Sequence, residues 1–272
     1  MNAPPQIARQ RIVSLAPSAT SILCALGARR HLVGVTKWCV DVAPVGRLPR
    51  LGDCWSLDAN AVAKLKPSLI VGSVPYKAEA MERILEIGAP FLAMNPRSLA
   101  DVYADILLLG RITDRRAAAA NLIRRMQSSF TKIARRAAGL KSRPRVYCEA
   151  WPNPRISSPP WVEELVRICG GESVLPAGQK VNDEDVARER PDVIILAWTA
   201  TGTRAKPEQA FKNPLWQDVP AIRNRRVHVV SDELLNTPAP VLTHGAQELF
   251  RHLHPEAAVP AAWLATKRSA RR

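Results

Sequence analysis

The chain has 272 residues, of which 47% are hydrophobic, and a formal net charge of +15 at pH 7. This length suits one large domain or two of ordinary size, and no apolar stretch approaches the roughly 20 residues that span a bilayer. The five cysteines are scattered without a Cys-x-x-Cys pair, which argues against a disulfide framework or a zinc site.

The first predicted elements alternate between strand and helix. Residues 11–15 read as an apolar strand, and Ser18 is a good N-cap for a helix over 19–26 that stops at Gly27. Further strands are predicted over 32–35, 69–71 and 91–94, with helices between them. This alternation predicts a parallel sheet in an N-terminal α/β lobe, residues 10–113.

One phrase of the sequence occurs twice. Residues 66–72, KPSLIVG, recur in kind as residues 190–196, RPDVIIL, 124 positions later. Each copy follows a helical stretch and has a cation, a proline and then a continuous apolar run. Proline ends the preceding helix, and such a run is typical of a strand buried on both faces of a parallel sheet. The repeat predicts two lobes built on one plan, with a ligand cleft between them.

A long helix is predicted between the lobes, over residues 114–140. Leu122, Met126, Phe130, Ile133 and Ala137 fall on one face of it. Residues 111–145 contain eleven Lys and Arg residues against a single acid, Asp114. A structural spine with a solvated basic face is the favoured interpretation, and a nucleic-acid recognition helix is the alternative. No aromatic stacking pattern supports that alternative, so no nucleic-acid partner is expected.

The second lobe is predicted over residues 141–255, followed by a basic Ala/Pro-rich tail, 256–272. Strands are expected over 145–149, 193–197 and 227–230, with a Pro-rich loop over 152–160. The expected fold class is therefore α/β, with two Rossmann-like lobes that have parallel sheets and are joined by a single long α-helix.

Tryptophan is the residue type most informative about binding. Trp38, Trp55, Trp151 and Trp198 each lie at or just past the end of a predicted strand. Open α/β sheets bind ligands outside the carboxyl ends of their strands, so these indoles could form aromatic walls for a bulky, partly apolar ligand. The alternative for each is a place in the core. We find no catalytic motif, and the five histidines give no metal-binding pattern.

Several short stretches resemble the class III substrate-binding proteins, in particular their vitamin B12 (cobalamin) branch. The resemblance covers roughly residues 10–255. It rests on the runs RIVSLAPSAT (11–20), LG (26–27), LVGVT (32–36), LKP (65–67), WVEEL (161–165) with GG (170–171), and PAI (220–222) before RV (226–227).

The resemblance implies a corrinoid ligand and a set of binding residues, with no catalytic cofactor and no metal site. It further implies an ABC permease that docks on a surface acid of each lobe. Glu184 matches the second of these acids, but Asn60 stands at the first. The ligand-binding residues implied are Pro17, Ser18, Trp38, Trp55, Tyr76, Trp151, Trp198 and Glu233.

The leading hypothesis is a monomeric, non-enzymatic binder of cobalamin or a related corrinoid, either a substrate-binding protein or a cytosolic corrinoid handler. An iron-siderophore or haem-binding component of an ABC transporter remains an alternative. A corrinoid-processing enzyme or enzyme accessory is another, for which Glu149, Asp232 and Glu233 are the candidate acids. Residues 1–11 lack the apolar core of a secretory signal. We therefore expect a cytoplasmic protein, or a periplasmic one if the start codon is misassigned.

Overall fold

The computed structural model describes residues 10–52, 57–73 and 78–257. Two compact units make up this part of the chain. The first comprises the residues up to 96 together with 101–123, and the second comprises 97–100 and the residues from 124 onward. The finer boundaries predicted at residues 113 and 140 stay predictions.

The strands of the first unit form one parallel sheet. Its elements, in chain order, are β1 (Ile12–Ser14), α1 (Pro17–Ala25), β2 (Leu32–Thr36), β3 (Arg50–Leu51), α2 (Ala59–Lys64), β4 (Leu69–Ser73), α3 (Ala78–Glu86), β5 (Phe91–Met94) and α4 (Leu99–Ile112). The strand order is β3-β2-β1-β4-β5, so β1 lies at the centre. Ile12 is opposite Leu32 on one side and Leu69 on the other.

The start of α1 differs from the prediction. The helix begins at Pro17, and its N-cap residue Ala16 makes no side-chain hydrogen bond. Proline fits the first helical position because the N–H that it lacks has no partner there anyway. Ser18 consequently lies inside the first turn, buried at 3% exposure, and the prediction that it caps the helix is wrong.

The long basic helix is α5 (Arg116–Ala138), which begins in the first unit and ends in the second. Its 23 residues are about 35 Å long at 1.5 Å per residue. A left-handed Asp114, with φ at 54°, separates it from α4. The predicted apolar face is buried, with Leu122, Met126 and Ile133 each at most 5% exposed.

The second unit has a mixed sheet. Its elements are β6 (Arg145–Pro152), β7 (Arg155–Ser157), α6 (Pro160–Ile168), β8 (Glu172–Ser173), α7 (Asp183–Glu189), β9 (Val193–Leu196), α8 (Pro207–Phe211), α9 (Pro220–Arg223), β10 (Val227–Val229), α10 (Asp232–Leu235) and α11 (Leu242–Leu253). The order β10-β9-β6-β7 is parallel from β10 to β6, and β8 pairs in parallel with the start of β6. β7 runs antiparallel to β6, so the predicted Pro-rich loop contains the second strand of a hairpin.

The repeated phrase forms the same structure in both units. Lys66 and Arg190, the cations before the prolines, both adopt left-handed backbones, with φ at 45° and 46°. Each ends a helix and turns the chain into a strand, β4 or β9. The predicted helix over 183–189 and the strand that follows it therefore appear as expected.

Each of these turns is hydrogen-bonded to an arginine: Arg11, directly before β1, binds the turn before β4, and Arg145, at the start of β6, binds the turn before β9. The Arg11 side chain donates from Nη2 to the Leu65 carbonyl at 2.6 Å, and Arg145 donates from Nη2 to the Glu189 carbonyl at 2.9 Å. The main-chain N–H of each arginine donates to the polar residue after the proline, Ser68 Oγ at 2.8 Å or Asp192 Oδ2 at 2.9 Å. Helix C-terminal carbonyls that lack intrahelical partners are satisfied in this way.

We predict that Gly245→Ala destabilises the protein. Gly245 lies on α11 where the helix meets α10, and a Cβ there would collide with the Leu234 carbonyl oxygen and lie 2.9 Å from Leu235 Cδ2. Overpacking of this kind costs about 1–3 kcal/mol of unfolding free energy. Gly139→Ala is the matched control because its Cβ would approach nothing closer than 3.5 Å. Urea unfolding of both variants checks this, and equal stabilities would contradict it.

Candidate ligand-binding site

A fully buried carboxylate, Glu149 on β6, organises the carboxyl edge of the second sheet. Its Oε2 accepts hydrogen bonds from Tyr147 Oη at 2.9 Å and from Arg155 Nη1 at 2.8 Å. Its Oε1 accepts from Trp198 Nε1 at 2.8 Å. Burying a carboxylate is costly unless it is paired and hydrogen-bonded, and here one cation and two neutral donors meet that need.

Arg155 extends this network from β7 to α7. Its Nε donates to Asp183 Oδ1, and its guanidinium lies 4.4 Å from the centroid of the Trp216 ring. Trp216 in turn donates from Nε1 to the Asp183 carbonyl at 3.0 Å. Burial acts to lower the pKa of Arg155, but the Glu149 and Asp183 carboxylates outweigh it and raise that pKa. Arg155 therefore remains a cation, and the hairpin is joined to the helix.

The hairpin presents an exposed indole, Trp151. It lies two residues beyond Glu149 along β6, and 41% of its surface is exposed. Its Nε1 donates to the Asn153 carbonyl at 2.9 Å, which orients the ring against the turn. Of the tryptophans predicted at strand ends, Trp151 is the one that the second unit exposes.

Trp198, by contrast, packs into the core of the second unit at 6% exposure. It lies two residues past the end of β9, close to where the sequence predicted it, but its side chain points to the Glu149 carboxylate. The following residue, Thr199, donates its N–H to the Ala150 carbonyl at 2.9 Å, so this loop lies beside the hairpin. Little of the Trp198 ring face is left for a ligand.

Asp232, one of the two candidate acids after β10, binds the main chain of the 197–204 loop. Asp232 accepts the main-chain N–H groups of Ala200 at 2.9 Å and Gly202 at 2.7 Å. Burial raises the pKa of Asp232, the two main-chain donors act against this, and the nearby Glu233 adds to it. Glu233 is half-buried and accepts a hydrogen bond from Ser231 Oγ. The β6–β7 hairpin, the 197–204 loop and the 231–237 segment thus lie together at the carboxyl edge of the second sheet.

In the first unit, three predicted ligand residues follow strand ends. Pro17 and Ser18 come after β1 and are half-buried and buried, respectively. Trp38 is half-buried in the 3-10 turn Lys37–Asp41 directly after β2, with Lys37 Nζ 4.9 Å from its ring centroid. Buried Cys39 anchors the turn, because its Sγ accepts a hydrogen bond from Thr20 Oγ1 at 3.1 Å.

Trp55 and Tyr76, the other predicted ligand residues, lie outside the described residues. Within the described ranges, no group of three or more His, Cys, Asp or Glu side chains is arranged to hold a metal ion. The helices of that same part of the chain include none that is long and apolar enough to cross a membrane.

The sequence matches the periplasmic binding protein family over residues 12–234. An uncharacterized ABC transporter substrate-binding lipoprotein of Bacillus subtilis, YvrC, is 27% identical over 260 residues, which cover 91% of this chain and 81% of that protein. A vitamin B12-binding protein of Vibrio vulnificus is 22% identical over 253 residues, 89% of each protein. Both similarities extend over nearly the whole chain.

Solved structures show the same fold. A periplasmic haem-binding protein of Pseudomonas aeruginosa superposes with a TM-score of 0.81 at 20% identity, covering 92% of this chain and 94% of that chain. The predicted fold class is confirmed by this likeness, by the parallel sheet of the first unit and by the second sheet, which is parallel except for β7.

The predicted cytoplasmic location is wrong. The matched family is periplasmic, and the Bacillus subtilis relative is a lipoprotein of an ABC transporter, which points to a place outside the cytoplasm. The prediction relied on the lack of an apolar core in residues 1–11. This property does not determine in which compartment a folded domain of this kind works.

We predict that Glu149→Gln lowers the unfolding free energy by about 2 kcal/mol, because it removes a charged hydrogen-bond partner from a largely buried cation. That cation is Arg155, whose side chain is only 19% exposed and would keep Asp183 as its remaining carboxylate partner. Glu189→Gln is the matched control. Its ion pair with Arg145 has side chains 32% and 40% exposed, and exposed pairs contribute below about 1 kcal/mol. Chemical denaturation measures the unfolding free energy of both variants. An equal loss in the two would show that the Glu149 network stabilises the protein no more than an exposed ion pair does.

Proposed function

The chain belongs to the periplasmic binding protein family and is a substrate-binding protein of the type that takes iron chelates, vitamin B12 or haem, and we propose that its ligand is cobalamin or a related corrinoid. Family members of this type bind and deliver a ligand and do not transform it. The observation that carries the proposal is the exposed Trp151 indole, which the Glu149–Arg155 network holds at the carboxyl edge of the second sheet.

A corrinoid suits this edge by shape. Ligands of open α/β sheets bind outside the carboxyl ends of the strands, and a large, flat ring can cover an exposed indole face. Aromatic contacts contribute about 0.5–1.5 kcal/mol beyond the area they bury. The Vibrio vulnificus relative, named for vitamin B12 binding, is similar over 89% of its length. Trp38, at the end of β2 in the first unit, is a second candidate for such a contact.

The charges at this edge favour an amide-bearing ligand over an anionic one. Asp232 and Glu233 lie on the 231–237 segment, and Arg155 is already engaged by two carboxylates. Arg204 donates to the carbonyls of Thr201 at 3.1 Å and Ala200 at 3.3 Å. Carboxylates repel the propionates of haem and the negative charge of ferric siderophores, whereas the peripheral amides of a corrinoid are neutral.

Haem is the second candidate, favoured by the structural likeness to the Pseudomonas aeruginosa haem-binding protein. Haem iron takes His, Cys, Met or Tyr as its protein ligand. The segments 149–157, 197–204 and 231–237 contain none of these residue types. A haem at this edge would therefore need its axial ligand from elsewhere in the chain.

An ABC permease is the proposed partner, and Glu184 is its proposed contact on the second unit. Glu184 is exposed at the second position of α7, whose N-terminus is held by reciprocal hydrogen bonds between Asn182 and Asp185. On the first unit, Asn60 occupies the same position of α2, after the capping Asp58. On the first unit the acid that docks on the permease is therefore either Asp58 or absent. This predicts a permease whose surface facing the first unit differs from that of permeases that meet an acid there.

We predict saturable quenching of tryptophan fluorescence by cyanocobalamin and cobinamide at micromolar concentrations, with Trp151→Ala weakening the affinity about tenfold through the lost ring contact. Leu215→Ala is the control because Leu215 is also an exposed apolar side chain of the second unit, and it should bind like the wild type.

Hemin is titrated in parallel, with its Soret band as readout. Saturable hemin binding without corrinoid binding would replace the corrinoid by haem. Corrinoid binding that Trp151→Ala leaves unchanged would place the ligand away from the hairpin.

A further inference from the structure

The solvent side of α5 carries a dense strip of positive charge, which includes none of the residues proposed to bind the ligand. Arg124, Arg125, Lys132, Arg135 and Arg136 are all exposed there. At 100° per residue these five positions fall within an arc of roughly 120°, opposite the buried apolar positions of the same helix. They extend over about 18 Å of helix length. We call these five side chains the cationic face.

No acidic residue lies close to the cationic face in the sequence. Residues 115–148 contain no Asp or Glu, and α5 itself has no acid in its 23 residues. Lys141 and Arg143, both exposed, continue the positive charge beyond the helix end. Like charges on one helix face destabilise the helix by about 0.2–0.5 kcal/mol per pair. The density of positive charge on one exposed face suits contact with an anionic surface.

The chemistry of the cationic face suits phosphate groups on a flat surface. Four of its five members are arginines, which bind phosphate oxygens in bidentate fashion. Ser128, which falls within the same arc of the helix, has a small neutral side chain. The aromatic residue of α5, Phe130, is buried, so the face offers no ring on which an unpaired base could stack.

We propose that the cationic face binds the headgroup surface of an anionic lipid bilayer, with α5 parallel to the membrane plane. A protein of a periplasmic family works beside a membrane, and each Lys or Arg near an anionic surface contributes about 1 kcal/mol of attraction within the Debye length. This interaction holds the protein at the membrane by charge alone, since the face has no apolar side chains to insert. It is independent of the nature of the ligand.

The test is co-sedimentation of the full chain with vesicles of phosphatidylcholine alone or mixed with phosphatidylglycerol, at about 50 mM and about 500 mM salt. We expect binding to the mixed vesicles at low salt, loss of that binding at high salt, and none to phosphatidylcholine. Changing the cationic face to Gln at all five positions should reduce the affinity at least about tenfold.

A matched variant distinguishes an effect of the cationic face from an effect of the total net charge. It replaces five other exposed cations of the second unit by Gln: Arg167, Lys180, Lys206, Lys212 and Arg223. A further variant changes the four cations of residues 267–272 to Gln. Both should keep most of the vesicle affinity. Arg124→Gln with Arg135→Gln serves if the fivefold change prevents folding, and circular dichroism checks all variants.

Three results would overturn the proposal. They are failure of the wild type to bind the mixed vesicles, a loss in the matched or terminal variant as large as that in the cationic-face variant, and tighter binding to a DNA duplex than to the mixed vesicles at equal salt. Because corrinoid titration is measured separately, failure here leaves the proposed ligand untouched.

Discussion

The buried carboxylate of Glu149 is the constraint on which the second unit depends. It lies at the point where the pairing of β6 with β9 ends, and its partners come from β6 itself, from β7 and from the second residue after β9. Through Arg155 it also reaches α7. Such a network is stabilising only when every donor and acceptor in it is satisfied. Because every member of the network is paired, the network holds the β6–β7 hairpin in one orientation. The orientation of the hairpin in turn fixes that of the exposed Trp151.

Features of the fold that depend on local signals could be predicted from the sequence. The helix ahead of the second repeat could be predicted because Arg190-Pro191 ends it, and this signal lies next to the helix. The start of α1 was missed because two local signals compete there, and Pro17 prevails over Ser18. β7 was missed because three residues carry too little alternation to distinguish a strand from a loop.

The candidate site was harder to predict because the direction of a side chain depends on distant partners. Trp151 and Trp198 both follow strands, and the sequence treats them alike. Trp198 turns inward because Glu149, 49 positions earlier, accepts its N–H, while Trp151 finds its acceptor in its own turn. The location was mispredicted because it was inferred from the first eleven residues, and these do not determine in which compartment the folded domain works.

The position of β1 has a mechanical consequence. The strand begins at Ile12 and lies between β2 and β4, while Arg11, directly before it, is tied to the turn ahead of β4. A pulling force on the chain before residue 10 would act along the axis of this central strand. The hydrogen bonds on its two sides would share the load in shear and have to rupture together, whereas an edge strand could peel away one bond at a time. A tether attached at that end would therefore pull on one of the most resistant elements of the first unit.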